Sequence, residues 1–159
     1  MAISTRLSRY LNQQGVSYNT LNHLHSNNSV SSADAARISP HQLAKAVVLE
    51  DHQGKRMIAV LPTDNKINLQ QLNKRYRSTF HLLAEEEVYP LFGDCENGAI
   101  PPAGEAYHLN AIYDDSLLTQ SDVYIEAGDH QTLIHLSQKE FVRFIAKSQH
   151  DSFCHQSDY

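Results

Sequence analysis

Two apolar runs five residues apart constrain this chain more than any other feature. Ala44-Lys45-Ala46-Val47-Val48-Leu49-Glu50 and Arg56-Met57-Ile58-Ala59-Val60-Leu61 have strand length and strand composition. Asp51-His52-Gln53-Gly54-Lys55 joins them and contains a glycine, which predicts a hairpin. The length of 159 residues suits one domain, and 41% apolar content suffices for a core. At 19% charged residues the chain falls outside the disordered class.

Other segments arrange themselves around that hairpin. Ile3, Leu7, Tyr10 and Leu11 recur at helical spacing, and Gly15 supplies a helix end. Residues 16–21 read as a short strand. A polar loop follows, and Ser31 with Asp34 resembles a capping box opening an Ala-rich helix that stops before Pro40. Asn68 caps a helix through Lys74, and Leu83 to Val88 reads as another, closed off by Pro90. Further strands are expected over 108–113, 122–127 and 131–136. Ser137 and Glu140 then open a last helix, with Leu136 and Phe141 placed as a hydrophobic staple. The reading is α+β: one domain over residues 1–149 and a tail, 150–159, with little to bury and expected to be disordered.

Composition excludes several classes. No apolar run approaches the roughly 18 residues of a membrane span. The first residues lack a basic patch followed by an apolar stretch, so a cytoplasmic protein with no membrane partner is expected. Only Cys95 and Cys154 are present, which excludes a disulfide-dense scaffold and Cys-rich zinc modules. A net charge of −5 argues against gripping a long stretch of nucleic acid through phosphates.

Motifs for nucleophilic, zinc or dinucleotide chemistry are missing. Cys95, between Asp94 and Glu96, is a poor thiolate, because neighbouring negative charge raises its pKa. His23 and His25, one residue apart on an extended segment, could join His130 and His135 around a metal, or all four could be surface histidines. Lys45 shares a strand face with Val47 and Leu49, so its ammonium either reaches an anion or water at the strand end or snorkels over the sheet edge. The irregular stretch 91–106 is long for an idle loop. Within it Gly98 and Gly104 allow close backbone approach, and Pro101-Pro102 stiffens the chain. Its amides could bind a carbonyl or an anion, or the stretch could be a structural turn. Gly128-Asp129-His130 is open to the same two readings.

In order along the chain, four segments resemble one family. They are Tyr18 and His23 with the Ser-rich entry to Ala35-Ala36; Ala44 to Leu49 with its lysine; Leu91-Phe92-Gly93-Asp94-Cys95-Glu96-Asn97-Gly98-Ala99-Ile100-Pro101-Pro102-Ala103-Gly104; and Ala127-Gly128-Asp129-His130. Together they resemble the YbaK/prolyl-tRNA synthetase-associated domain family of aminoacyl-tRNA deacylases, over residues 3–147. The resemblance implies a mixed, strongly curved sheet surrounded by helices, and hydrolysis of the ester of mischarged tRNA in trans without metal or cofactor.

On that resemblance, Lys45, Gly98 and His130 are the catalytic candidates. Lys45 holds the 3′ end of the tRNA, and amides from Gly98 through Pro102 and of Gly128 stabilise the oxyanion. Water attacks with help from the substrate's ribose hydroxyl. His130 or His23 places water or hydroxyl, and His23, Ala99, Ile100, Pro101, Pro102, Gly128 and Asp129 line the substrate site. A synthetase or elongation factor would deliver the tRNA, and Ala, Ser, Thr or Cys is the expected amino acid. Two other readings are a non-catalytic module binding an aminoacylated or nucleotide ligand in the same cleft, and a metal-dependent hydrolase built on the histidines.

Overall fold

A computed structural model describes residues 3–26 and 29–156. In chain order the elements are helix α1 (Thr5–Gln13), strand β1 (Asn19–Asn22), α2 (Ser29–Ala36), β2 (Leu43–Glu50), β3 (Arg56–Pro62), β4 (Asn65–Ile67), α3 (Leu69–Tyr76) and β5 (His81–Leu82). There follow α4 (Glu85–Val88), two 3₁₀ turns (Tyr89–Phe92 and Gly104–Tyr107), β6 (Asn110–Asp114), α5 (Asp115–Leu118), β7 (Asp122–Glu126), β8 (Thr132–Ser137), α6 (Gln138–Phe144), β9 (Gln149–Asp151) and β10 (Cys154–Gln156).

The hairpin forms as expected, with Lys45 opposite Leu61 and Glu50 opposite Arg56. It lies within a mixed sheet of order β1-β8-β7-β2-β3-β6-β9, and β5 pairs with the end of β2. The contacts β2–β7, β3–β6 and β6–β9 are parallel; the others in this sheet are antiparallel. Strand β3 is covered on both faces, which is why it reads as an unbroken apolar run. Met57, Ala59 and Leu61 pack with Leu72, Phe80, Ile112 and Phe153 on one side. Ile58 and Val60 pack with Leu7, Tyr113, Phe141 and Phe144 on the other. No helix among the described residues is long and apolar enough to cross a membrane.

Local chemistry fixes the helix ends. The Ser4 hydroxyl accepts from Leu7 N at 3.1 Å, that of Ser137 accepts from Glu140 N at 3.3 Å, and Asn68 accepts from Gln71 N. Leu136 and Phe141 are fully buried, as a staple requires. The Glu140 carboxylate leaves its own capping box and accepts from Ser17 N at 2.9 Å.

Four expectations are corrected. The first strand is 19–22 rather than 16–21, because Val16 N still bonds back to Leu11 O and closes α1. Ser31 lies inside α2, which begins at Ser29, so it is not the cap. Pro90 does not end the chain's helical course: it sits in the first turn of the 3₁₀ segment, where its missing N–H costs nothing. Lastly, residues 150–156 are not a tail with little to bury. Strand β9 pairs with β6, β10 pairs with β4, and Phe153 between them is 1% exposed. The buried ring was missed because a lone Phe among polar residues carries no periodic signal. Residues 157–159 lie outside the described part.

Phe153→Ala should therefore cost about 3–5 kcal/mol, the usual range for emptying a buried phenylalanine site. Urea denaturation of the full chain measures it, and a loss under about 1 kcal/mol would mean that the C-terminal strands are not integral to the fold.

Candidate functional site

Four segments of sequence converge at the ends of β7 and β8. The segment after Phe92 is fixed by Asp94, whose carboxylate accepts from Arg6 N at 3.1 Å and from the Tyr107 hydroxyl at 2.9 Å. The Tyr107 oxygen lies 2.8 Å from the Ser4 hydroxyl and 3.2 Å from Cys95 Sγ. Burial pushes the Cys95 thiol up to about 12; the Tyr107 hydroxyl opposes that rise and Asp94 adds to it. Cys95 is thus a half-buried thiol with little thiolate character, as its acidic neighbours suggested.

Two hydrogen bonds clasp this loop to the β7–β8 turn. Glu96 N donates to Gly128 O at 2.7 Å, and His130 Nε2 lies 2.7 Å from Asn97 O. A carbonyl only accepts, so that nitrogen carries a proton. Gly128 has φ +118, and a Cβ there would stand 3.1 Å from Cys95 Sγ, so glycine is needed both for conformation and for contact. His25 joins the cluster, with its ring edge-on to His130 at 5.7 Å and Nε2 3.0 Å from Glu96.

Not every nominated group is available. Ala99 N is taken by Glu96 O, and Pro101 and Pro102 have no N–H to give. Among the described residues no acceptor takes the N–H of Gly98, Ile100 or Gly128, which narrows the possible oxyanion donors to these three. Gly104 serves packing rather than ligand approach, since a Cβ there would meet Leu109 O at 2.6 Å. The Asp129 carboxylate accepts from the amides of Gln131 and Thr132 and from the Thr132 hydroxyl. Burial alone would raise its pKa, but these bonds hold it below the usual carboxylate value.

Lys45 stands one residue beyond Ala44, which pairs with Ile125. By strand alternation it faces the same side of the sheet as Glu126. Its amine turns to the β3–β4 connection, donating to Asn65 O at 2.7 Å and Thr63 O at 3.3 Å. It is half-buried, and burial lowers its pKa, with Cys154 and Asp64 opposing. The ammonium is thus held by two backbone carbonyls at the end of β3, an interior strand, rather than lying over the edge of the sheet. It has three donors, so one remains beyond these two bonds.

Glu126 escaped the sequence reading. It is 1% exposed, and burial raises its pKa, while Ser32, His130 and His23 lower it. The available signal was a carboxylate on the Tyr124 face of an apolar strand, two residues before the glycine turn. The His23 ring turns its Nδ1 to Leu24 O at 2.7 Å. His135 instead bonds Asp122 at 2.7 Å and stacks on Tyr124. Among the described residues no three His, Cys, Asp or Glu side chains are grouped to hold a metal. A cavity of about 490 Å³ lies at the other end of β2, lined by Lys55, Arg77 and Lys147 among others, and none of the nominated residues borders it.

A family model described as the aminoacyl-tRNA editing domain matches residues 25–144. No curated protein sequence matches significantly. Solved structures do match. Hypothetical protein APE2540 superimposes with a TM-score of 0.82 at 20% identity, covering 94% of this chain and 99% of that one. A protein described as a candidate trans-editing enzyme for prolyl tRNA synthetase gives 0.79 at 20%, covering 98% and 97%. A candidate signal transduction protein from Marinobacter aquaeolei VT8 gives 0.74 at 16%, covering 94% of this chain but 30% of that one. At these identities the structures share the mixed α+β fold.

With its thiol held near 12, native Cys95 should alkylate with iodoacetamide at pH 8 at least about tenfold more slowly than in urea-unfolded chain. Mass spectrometry of the labelled peptide reads the rates; equal rates would contradict the half-buried setting and the raised pKa.

Proposed function

The chain belongs to the aminoacyl-tRNA editing domain family, and on that premise we propose that it hydrolyses the ester joining a mischarged amino acid to the terminal ribose of tRNA. The observation that carries this reading is the clasp of the Gly98 loop to the β7–β8 turn. The amides of Gly98, Ile100 and Gly128, which have no acceptor among the described residues, lie on the clasped loop and on the turn after β7, the strand that pairs with the Lys45-bearing β2.

In this reading water attacks the aminoacyl carbonyl carbon, and the carbonyl electrons move to its oxygen. Amides aimed at that oxygen favour the tetrahedral species over the planar ester, which lowers the barrier. Collapse breaks the carbon–oxygen bond to the ribose, and the departing hydroxyl keeps a proton drawn from the water. The neighbouring ribose hydroxyl assists that transfer, so no protein nucleophile is required, which agrees with the inert Cys95. The remaining donor of Lys45 meets a phosphate of the tRNA 3′ end. His130, whose Nε2–H is engaged by Asn97 O, holds the loop, and its Nδ1 is the ring atom left to place water or a hydroxyl. With few phosphate contacts, a net charge of −5 is compatible with binding only the end of the molecule. The prolyl-tRNA synthetase description of one neighbour supports delivery by a synthetase, and such a protein acts in the cytoplasm.

Lys45→Met keeps the aliphatic stem and removes the charge. It should lower deacylation by about a hundredfold or more while leaving the melting temperature within a few degrees. Release of labelled amino acid from a panel of mischarged tRNAs measures it. Tight tRNA binding without release by the wild type would favour a non-catalytic module, and unchanged turnover in the variant would remove Lys45 from the site.

A further inference from the structure

The cavity of about 490 Å³ at the far end of β2 gathers positive charge from three separate parts of the chain. Lys55 comes from the β2–β3 turn, Arg77 from the end of α3, and Lys147 from the segment between α6 and β9. All three are exposed, and none makes an ion pair or a side-chain hydrogen bond among the described residues. Arg56, also on the lining, is paired with Glu50 and Glu87. The acids of the lining are Asp51 and Glu105. Asp51 Oδ1 accepts from Gln53 N and Lys55 N at 2.9 Å, and the charges of His52 and Lys55 favour the carboxylate. Glu105 accepts from the Tyr10 hydroxyl at 3.4 Å. In a chain of net charge −5, such a gathering of unpaired cations is not the average of the surface.

Arg77 occupies a position that favours glycine. It caps the C-terminus of α3 at φ +51, in the left-handed region. Asn73 holds it there: its carbonyl accepts from Arg77 N and Ser78 N, and its Oδ1 accepts from Phe80 N at 2.7 Å. A side chain in this conformation is strained, and here the strain carries a guanidinium to the cavity. Strand β9, by pairing with β6, brings residues 147–149 to the same lining. Besides Asp51, the buried part of the lining is apolar, with Met57, Phe80 and Ala111. The half-buried Tyr76 ring stands edge-on to Phe80 at 5.8 Å.

Like charges that converge without counter-ions repel, and an anion seated among them relieves the repulsion. Lysine and arginine donors suit phosphate oxygens, and apolar and aromatic surface suits a carbon skeleton. The volume falls within the roughly 300–1,000 Å³ of small-molecule sites. We propose that this cavity is a second ligand site that takes a small organic phosphate, with Lys55, Arg77 and Lys147 on the phosphate and Met57, Tyr76 and Phe80 against the organic body. It lies about 20 Å along β2 from Lys45, at 3.3 Å per residue, and does not rest on the deacylase reading.

Amide chemical-shift titrations of the ¹⁵N-labelled full chain with ADP, pyrophosphate and adenosine, at constant ionic strength and without magnesium, are the test. ADP should give saturable shifts around Lys55, Arg77 and Lys147 with a Kd below about 1 mM. Adenosine lacks the phosphate and pyrophosphate lacks the body, so each should bind at least about tenfold more weakly. Arg77→Gly removes the cation where glycine suits the backbone, so this variant should melt no lower than wild type. It and Lys147→Gln should each weaken ADP binding by about tenfold. Loss of affinity in either variant, with melting not lowered, upholds the site. Shifts still unsaturated at about 10 mM ADP, adenosine binding as tightly as ADP, or unchanged affinity in both variants would overturn it. Binding of a single-stranded RNA at these residues with none of ADP would overturn the assignment to a small ligand.

Discussion

Burial of β3 on both faces is the constraint from which the rest of the molecule follows. A strand with six successive buried residues must be flanked by other strands and covered above and below. Strands β2 and β6 satisfy its backbone on either edge. Helices α1 and α6 supply Leu7, Tyr10, Phe141 and Phe144 to one face, while α3 and the C-terminal strands supply Leu72 and Phe153 to the other. With β2 so fixed, its parallel contact with β7 brings Lys45 beside Glu126, and the turn after β7 meets the loop after Phe92.

The electrostatics of that meeting place are unusual for an acidic protein. Its acids are individually occupied: Asp94 by Arg6 N and Tyr107, Asp129 by its own turn, Glu96 by His25. Glu126, by contrast, is 1% exposed, and burial raises its pKa against the lowering effect of Ser32, His130 and His23. In the proposed function, the amides of Gly98, Ile100 and Gly128 are the donors that a carbonyl would meet near this loop. Hydrogen-bond donors held in place by a packed fold act on developing negative charge without having to reorganise.

Much of this was legible in the sequence, for identifiable reasons. The hairpin, the Ser137 cap and the helix from Asn68 were read correctly because turn glycine, capping oxygen and apolar spacing agreed at each. The nominated loop and turn do meet, although sequence could not show that Ala99 N was already taken or that Gly104 was packed against Leu109. Phe153 and Glu126 were missed for a common reason. Each is a single residue whose meaning comes from what lies across the fold, and periodicity carries no information about such contacts. Strands β4, β9 and β10, three residues each, are too short to leave a pattern.

The central claim is that the end of an aminoacyl-tRNA is received between Lys45 and the amides of Gly98, Ile100 and Gly128. The most direct measurement is an amide chemical-shift map of the ¹⁵N-labelled chain titrated with a non-hydrolysable 3′-aminoacylamido-adenosine. The account predicts that the largest shifts fall on those three amides and on the residues around Lys45. Shifts confined to the cavity bordered by Lys55, Arg77 and Lys147 would contradict it.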